Sequence, residues 1–273
     1  MKLQMKEFLC LILCFLALNN YVFAAIPKGH QYHVAVAPTK TPGHFELLGG
    51  IGLATLNATN SNLGVTSSET DKLVQTNNDN WNAFTGQLGA GYVYYFRHAQ
   101  RYSERAQWFP SIEPELNLYF LGSNTIRGDV WRFRSPNFNQ LTYAIPVRST
   151  RLMLDGALTI VSKKKFSLYA IGGIGNAWNR VSYSDTDSGT SCLNQRLNLN
   201  SNNLTNFAWE LGAGLTYAFN NRVGLSLEYL YTDLGKVRSS AVGTSGTITT
   251  PIIVPAYFRL SSQAGLLGLH LAL

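Results

Sequence analysis

Apolar and polar residues alternate with a period of two along eight separate segments, and this pattern limits the possible folds most strongly. A period of two is that of a β-strand whose two faces meet different surroundings. The chain is therefore predicted to be all-β. The eight predicted strands lie at about 44–56, 82–96, 108–120, 140–161, 166–183, 207–219, 222–235 and 256–273, and the pattern leaves the register of the fifth open. Adjacent Leu266 and Leu267 predict a β-bulge in the last of them.

The connections between these segments alternate in length. The long ones lie at about 57–81, 121–139, 184–206 and 236–255, and the shorter ones at about 97–107, 162–165 and 220–221. A membrane barrel with both chain ends in the periplasm has short periplasmic turns and long outer loops. The prediction is an eight-stranded antiparallel up-and-down transmembrane β-barrel over residues 44–273. The long connections are rich in Asn, Ser and Thr, so we expect them to bury little surface and to be mobile.

Composition agrees with this fold and argues against other classes. Charged residues make up only 14% of the chain, well below the roughly 25% of an ordinary soluble domain. Beyond the first 24 residues, the sequence contains no apolar run of 18 residues, which is the length that a membrane-spanning helix needs. The net charge of +7 is spread along the chain, so no nucleic-acid partner is predicted.

The first 24 residues have the three parts of a secretory signal peptide. Lys2 and Lys6 precede an apolar stretch, Phe8 to Leu18, and Ala24 ends a small-residue cleavage site. We expect cleavage after Ala24 and export of the mature chain. Residues 25–43 are predicted to form a periplasmic segment or a partial plug of the barrel.

Nothing in the sequence predicts a cofactor. Of the three cysteines, only Cys192 would remain in the mature chain, so neither an internal disulfide nor a thiolate metal cluster is expected. Cys192 is predicted to lie in an outer loop as an exposed thiol, with an intermolecular disulfide as the alternative. No metal, no organic cofactor and no enzymatic activity are predicted.

The direction of the apolar face separates a membrane barrel from a soluble barrel or a β-sandwich. Aromatic residues cluster at the strand ends, which is typical of the interfacial girdles of membrane barrels. We therefore predict that the apolar face points outward; in the alternative, these aromatic residues belong to a soluble core. The predicted periplasmic girdle consists of Phe45, Phe96, Trp108, Phe166 and Phe219, and the outer girdle of Trp81, Phe120, Trp178, Phe207 and Trp209.

The opposite face carries glycines and charges of both signs, which suits a narrow lumen. Buried carboxylates must be paired or neutralised, so we expect them to crosslink the strands and to obstruct water. Acid–base catalysis is the alternative, but no nucleophile accompanies these groups. The inward carboxylates are predicted to be Glu46, Glu113, Glu115, Asp155, Glu210 and Glu228, with Arg151, Arg222 and His270 as their partners.

Two neighbouring segments carry a motif of known barrels. Residues 209–219 read WELGAGLTYAF and residues 225–235 read LSLEYLYTDLG. This hairpin resembles that of the OmpA-like small outer-membrane barrels, and most of all the opacity-type, surface-antigen "porin family" proteins. The resemblance implies insertion by the barrel-assembly machinery, which commonly reads a C-terminal strand that ends in an aromatic residue. Here the last residue is Leu273.

The resemblance and the pattern together favour a structural and surface-interaction role in the bacterial outer membrane. The implied partners are outer-membrane lipid, lipopolysaccharide and a host or environmental ligand bound by the loops. One alternative is a small-solute or ion channel similar to OmpW. Another is a lipid-modifying enzyme, which needs a Ser–His pair oriented by an acid. None of the histidines falls in the outer half of a predicted strand; they are His30, His33, His44, His98 and His270.

Overall fold

The computed structural model describes residues 43–77, 83–96, 99, 102–187, 197–245, 248–252 and 254–273. The predicted signal peptide lies outside these residues, as does the segment 25–43 apart from Gly43. Trp81, Cys192 and three of the histidines, His30, His33 and His98, also lie outside them. In the described part of the chain, no helix has the length and apolar character needed to cross a membrane.

Eight long antiparallel strands form a closed ring. Each of them pairs with its neighbours along the chain, and the first also pairs with the last, with Glu46 opposite Ala272 and Ala58 opposite Leu260. Closure leaves no open edge among these eight strands. The predicted eight-stranded antiparallel barrel is confirmed. The strands are β1 (His44–Ala58), β2 (Ala83–Tyr95), β3 (Ser111–Trp131), β4 (Asn139–Lys163), β5 (Phe166–Asp187), β6 (Leu197–Ala218), β7 (Val223–Arg238) and β8 (Tyr257–Ala272).

The apolar face of the barrel points outward, as predicted. Ile51, Leu88 and Leu154 are each about 60% exposed, whereas Glu210 and Thr232 are buried inside. A soluble barrel has the reverse arrangement. Solvating this much apolar surface in water is unfavourable, and burying it in lipid removes that cost.

Six of the eight strands are longer than the sequence pattern predicted, mostly at their outer ends. β3 runs to Trp131 rather than to about residue 120, and β6 begins at Leu197 rather than at about residue 207. Two hairpins extend the sheet further. The first, Ser61–Gly64 with Thr70–Asn77, pairs with β3, and the second, Val242–Ser245 with Ile248–Pro251, pairs with β6.

These extensions form what we call the extracellular cap, defined as the described residues within 55–77, 121–149, 179–204 and 234–260. The expectation that the long connections bury little surface is wrong for the described residues of this region. Inside the cap the inward face becomes apolar, and each fully buried aliphatic side chain contributes about 1.5–3 kcal/mol. The cap core includes Leu63, Leu73, Ile126, Val130, Ile145, Val147, Tyr183, Leu199, Leu234, Val237, Phe258 and Leu260.

The only predicted bulge is misplaced. Leu266 points inward and Leu267 outward, and the register of β8 with both neighbours continues unbroken through them. The register shifts instead in β7, between Asp233 and Gly235. Gly235 has a φ of 81°, and a Cβ there would lie 2.7 Å from the Cβ of Asn206. Glycine is therefore the residue that this bulge requires.

Candidate functional site

The periplasmic half of the lumen holds a cluster of carboxylates and imidazoles. Glu46 on β1 lies 2.7 Å from His44 Nε2 and 3.1 Å from His270 Nδ1. The other ring nitrogen of His270 is 3.8 Å from Glu228 on β7. Glu228 also accepts hydrogen bonds from Ser226, at 2.8 Å, and from a tyrosine of β5 at 2.9 Å. These contacts join β1, β5, β7 and β8 across the lumen.

The middle of the lumen is organised around one arginine. The Nε of Arg151 on β4 donates to Glu210 on β6 at 3.2 Å, and its guanidinium lies 4.3 Å from the ring centroid of Tyr119 on β3. Both charged side chains are almost fully buried. Thr232 on β7 donates a further hydrogen bond to Glu210 at 3.1 Å. An ion pair in such surroundings is screened little by water.

The side-chain amide of Asn117 connects two further carboxylates in the middle of the lumen, those of Glu115 and Asp155. The Asn117 side-chain nitrogen donates to both Glu115 and Asp155 at 2.7 Å, and Tyr119 donates to Asp155 at 3.2 Å. Asp155 leans across the neighbouring strand over Gly173, where a Cβ would collide with its carboxylate. The inward glycine therefore creates the space for a charged side chain, as the combination of glycine and charge on this face suggested.

The structure brings most of the predicted lumen residues into two clusters, one at the periplasmic end of the lumen and one in its middle. Glu46, Glu115, Asp155, Glu210, Glu228, Arg151 and His270 all make the contacts given above. Glu113 faces the same cavity as Glu46 and His270, and its Oε1 has no hydrogen-bond partner among the described residues. Arg222 differs: it is exposed in the periplasmic turn before β7 and forms no ion pair within the described chain.

In addition to Ser226 and Thr232, the predicted set of lumen residues omits four members of these two clusters. They are His44, Asn117, Tyr119 and Tyr169, the last being the β5 tyrosine that donates to Glu228. The alternation of inward and outward side chains along a strand identifies three of them. His44 is two residues from Glu46, and Asn117 and Tyr119 continue the inward row of β3 that includes Glu115. Tyr169 lies in β5, whose register the sequence left open.

The lumen contains a cavity of about 140 Å³ at its periplasmic end, lined among others by Glu46, Glu113 and His270. Between this cavity and the extracellular end of the barrel lie the buried ion pair of Arg151 and Glu210 and then the apolar core of the cap. This sequence of layers obstructs a continuous water path through the described part of the barrel.

The described aromatic residues of the two predicted girdles lie near the predicted ends of the barrel. At the periplasmic end, Phe45, Trp108 and Phe219 are exposed, and Phe96 and Phe166 are half-buried. At the outer end, Phe120, Trp178 and Phe207 are exposed, whereas Trp209 is half-buried against the ring of Tyr231. Phe84 is 60% exposed and adds an aromatic residue to the outer row that the prediction did not include.

The far end of the cap carries an exposed tip, residues 132–138, between β3 and β4. Phe133 and Phe138 are both about half exposed, and their rings meet edge to face with centroids 5.9 Å apart. Phe133 and Arg134 have φ angles of 52° and 59°, which are unfavourable for residues with side chains. Strain of this kind persists only where surrounding contacts impose it.

Hydrogen bonds and one ion pair impose that conformation. The Phe133 backbone N–H donates to Asp71 at 3.1 Å, and the Arg132 guanidinium binds Glu69 through two nitrogens at 2.6 and 2.8 Å. The tip is thus tied to the first cap hairpin. It presents aromatic rings and Arg134 outward on a fixed backbone.

Two buried acids in the cap have raised pKa values. Burial raises the pKa of Asp71 and of Asp185 to about 6, although each accepts a backbone hydrogen bond that acts in the opposite direction. The bond to Asp185 comes from Leu197 at 2.6 Å. The charge of Asp71 also contributes to the shift at Asp185.

We expect the cap to be more stable at about pH 5 than at about pH 8. Each carboxyl has a pKa of about 6 when folded, against about 4 when unfolded, so the folded cap binds protons more strongly. The cost of burying the charges therefore decreases as the pH falls from about 6 towards 4. Amide exchange of residues 61–77, corrected for intrinsic rates, measures this.

The double variant Asp71→Asn/Asp185→Asn is the control for this pH effect. Its exchange protection should vary much less between the two pH values. Protection that is lower at about pH 5, or a variant with the full pH dependence of the parent protein, contradicts the assignment.

A closed barrel with an apolar exterior, a charged interior and an ordered cap defines a bacterial outer-membrane β-barrel protein. The chain matches the outer membrane protein beta-barrel domain family over residues 22–249 and belongs to that family. The outer membrane is its location.

The sequence identity to individual proteins of known name is low. The chain is 29% identical to outer membrane protein PagN of Salmonella typhimurium over 128 residues, which is 46% of this chain and 51% of PagN. It therefore spans about half the length of this curated relative. Neisserial surface protein A has 13% identity, with 85% of this chain and 100% of that chain covered and a TM-score of 0.36. The outer membrane protease OmpT of Escherichia coli has 11% identity, with 86% and 98% covered and a TM-score of 0.42.

Proposed function

We propose that this protein is a structural barrel that contacts ligands on host or environmental surfaces through its cap, and that it is not an enzyme. The observation that carries the proposal is the tip at residues 132–138. Exposed aromatic rings and arginine on a backbone that is already ordered lose little conformational entropy on binding. Arg134 adds a positive charge, so the complementary surface carries negative charge.

The lumen supports the structural part of this proposal. Its buried groups crosslink strands around the ring, and their packing argues against the channel alternative. For the enzyme alternative, the two described histidines, His44 and His270, lie at the periplasmic end and contact carboxylates rather than a serine. We further propose that outer-membrane lipid and lipopolysaccharide surround the barrel, and that the assembly machinery recognises β8.

The double variant Phe133→Ala/Arg134→Ser tests the surface contact. We expect bacteria that display it to lose most of the adhesion given by the parent protein, because a few central aromatic and arginine residues usually dominate an interface. Point changes are preferable to loop deletion, since deletion would expose the apolar core of the cap. The measurement is the number of cells bound to host-cell or matrix surfaces at equal surface expression.

The matched control removes the same chemistry from the opposite end of the barrel. Trp108 and Arg105 are exposed near the periplasmic turn, and the double variant Trp108→Ala/Arg105→Ser should adhere like the parent protein. Unchanged adhesion in the tip variant would eliminate the tip as the contact site. Equal losses in both variants would show that the effect is not specific to it.

A further inference from the structure

Two arginines face each other on the outside of the barrel, just above its apolar band. Arg148 on β4 lies directly opposite Arg180 on β5, and both are exposed. Like charges directly opposite each other destabilise an antiparallel pair. An anion between the two guanidinium groups would remove this cost.

A second outward like-charge pair shows how the barrel balances such charges elsewhere. Lys236 on β7 lies opposite Arg259 on β8, and the Asp233 carboxylate binds Arg259 at 2.7 Å. Arg148 and Arg180 have no carboxylate within ion-pair distance among the described residues. Their positive charges therefore remain available to a ligand.

The arginines line a groove of about 250 Å³ together with Ser123, Pro146, Ser182 and Ser201. Arg180 donates a hydrogen bond to the Ser201 hydroxyl at 3.3 Å. Guanidinium groups and hydroxyls are all donors, and arginine binds phosphate oxygens in a bidentate geometry. The donor set fits a phosphate group.

The height of the groove points to the source of the phosphate. Trp178, in the outer aromatic row, is two residues from Arg180 on the same face of β5. Two residues of a tilted strand rise roughly 5 Å along the membrane normal. The groove thus lies just beyond the hydrocarbon edge of the outer leaflet, at the level of lipid headgroups.

We propose that the Arg148–Arg180 groove binds a phosphate group of lipopolysaccharide in the outer leaflet. The inference depends on the outer-membrane location and deepens the lipid contact proposed above, but it does not depend on the cap tip. Each arginine donates to one side of the phosphate, and the hydroxyls of the groove complete the contact. The bound lipid joins β4 and β5 where their side chains would otherwise repel.

The test measures lipid A binding by the full protein refolded in detergent micelles, with native mass spectrometry as the readout. We expect Arg148→Gln/Arg180→Gln to lower the affinity for bisphosphorylated lipid A by at least about tenfold, because charge-assisted contacts are lost. Dephosphorylated lipid A should bind the parent protein as weakly as the phosphorylated form binds this variant.

Two control variants show whether a loss of lipid A binding is specific to the Arg148–Arg180 groove. Arg105→Gln/Arg222→Gln removes the same charge from the periplasmic edge and should leave lipid A binding unchanged. Phe133→Ala/Arg134→Ser should also leave it unchanged, so a failure of the proposed tip contact is distinguishable from a failure of this site. The mobility of unheated samples shows that each variant is folded.

Three results overturn the proposal. The first is parent-like affinity for lipid A in Arg148→Gln/Arg180→Gln. The second is an equal loss in the periplasmic control, which would indicate a general charge effect. The third is inorganic phosphate that binds as tightly as lipid A, which would make this a site for free phosphate. If the double variant does not fold, comparison of phosphorylated and dephosphorylated lipid A on the parent protein decides the question.

Discussion

Replacing Arg151 with Met is expected to lower the free energy of unfolding by about 3–5 kcal/mol, the usual cost of removing one partner from a buried ion pair. Arg151 and Glu210 are each 1% exposed, and the Arg151 guanidinium also covers the ring of Tyr119. Without the arginine, Glu210 keeps its hydrogen bond from Thr232 but loses its counter-charge. The barrel must then hold an uncompensated carboxylate in its interior.

Urea unfolding in lipid vesicles or micelles measures the Arg151 effect. The control Arg105→Met changes an exposed arginine and should shift the free energy of unfolding by less than about 0.5 kcal/mol. The double variant Arg151→Met/Glu210→Gln should recover part of the loss, because both charges are then absent. An Arg151→Met protein as stable as the control contradicts the central role of this pair in the lumen.

The second large effect is expected on the opposite face of the same strand. Leu154→Arg should lower the free energy of unfolding by about 2–4 kcal/mol, the cost of an arginine near the middle of the bilayer on the lipid face of a barrel. Leu154 is 59% exposed and pairs with Leu116 in the middle of the apolar band. In water, the same change at an exposed position would be nearly neutral.

The comparison with Thr142→Arg makes the Leu154 result specific to membrane depth. Thr142 is also exposed on β4, but in the cap and opposite Asp129, so an arginine there meets water and a carboxylate. Its effect should stay within about 0.5 kcal/mol. A Leu154→Arg protein that unfolds like Thr142→Arg would mean that this surface does not face lipid.

The sequence was sufficient for the barrel because alternation in a strand reports which face each side chain occupies. Leu88 and Leu154 point outward and Glu210 inward, as the period of two required. Once the apolar face was assigned outward, the carboxylates on the opposite face of the strands had to share the lumen. Alternating loop lengths then indicated the order and direction of the strands.

The cap was not predicted because composition there conceals the same alternation. Residues 197–206 read LNLNSNNLTN, which is typical of a loop, yet Leu197 and Leu199 point inward and Asn198 between them is exposed. Their apolar partners are far away in sequence, so no local pattern reveals the shared core. At Leu266 and Leu267 the sequence predicted a bulge that the structure does not contain. Both faces of β8 carry leucine at that level, so two adjacent leucines fit a regular strand.

The alternation of side chains between the two faces of a strand also explains which lumen residues were predicted and which were not. It assigns a side chain to a face but gives neither its reach nor its partner. Arg222 illustrates this, since it lies in the turn before β7 and is exposed rather than inward. Asn117 and Tyr119 connect the acids by hydrogen bonds that only strand register places within reach.

The most direct test of the account compares unheated and boiled samples of the chain from Ala25, refolded in detergent micelles, on a denaturing gel. A closed barrel whose strands are all paired should resist the detergent until boiling, so the unheated sample should migrate differently and show β-rich circular dichroism. No change in mobility on boiling, together with a compact monomer that is stable without detergent, would contradict it. The apolar face would then point inward, in a soluble protein.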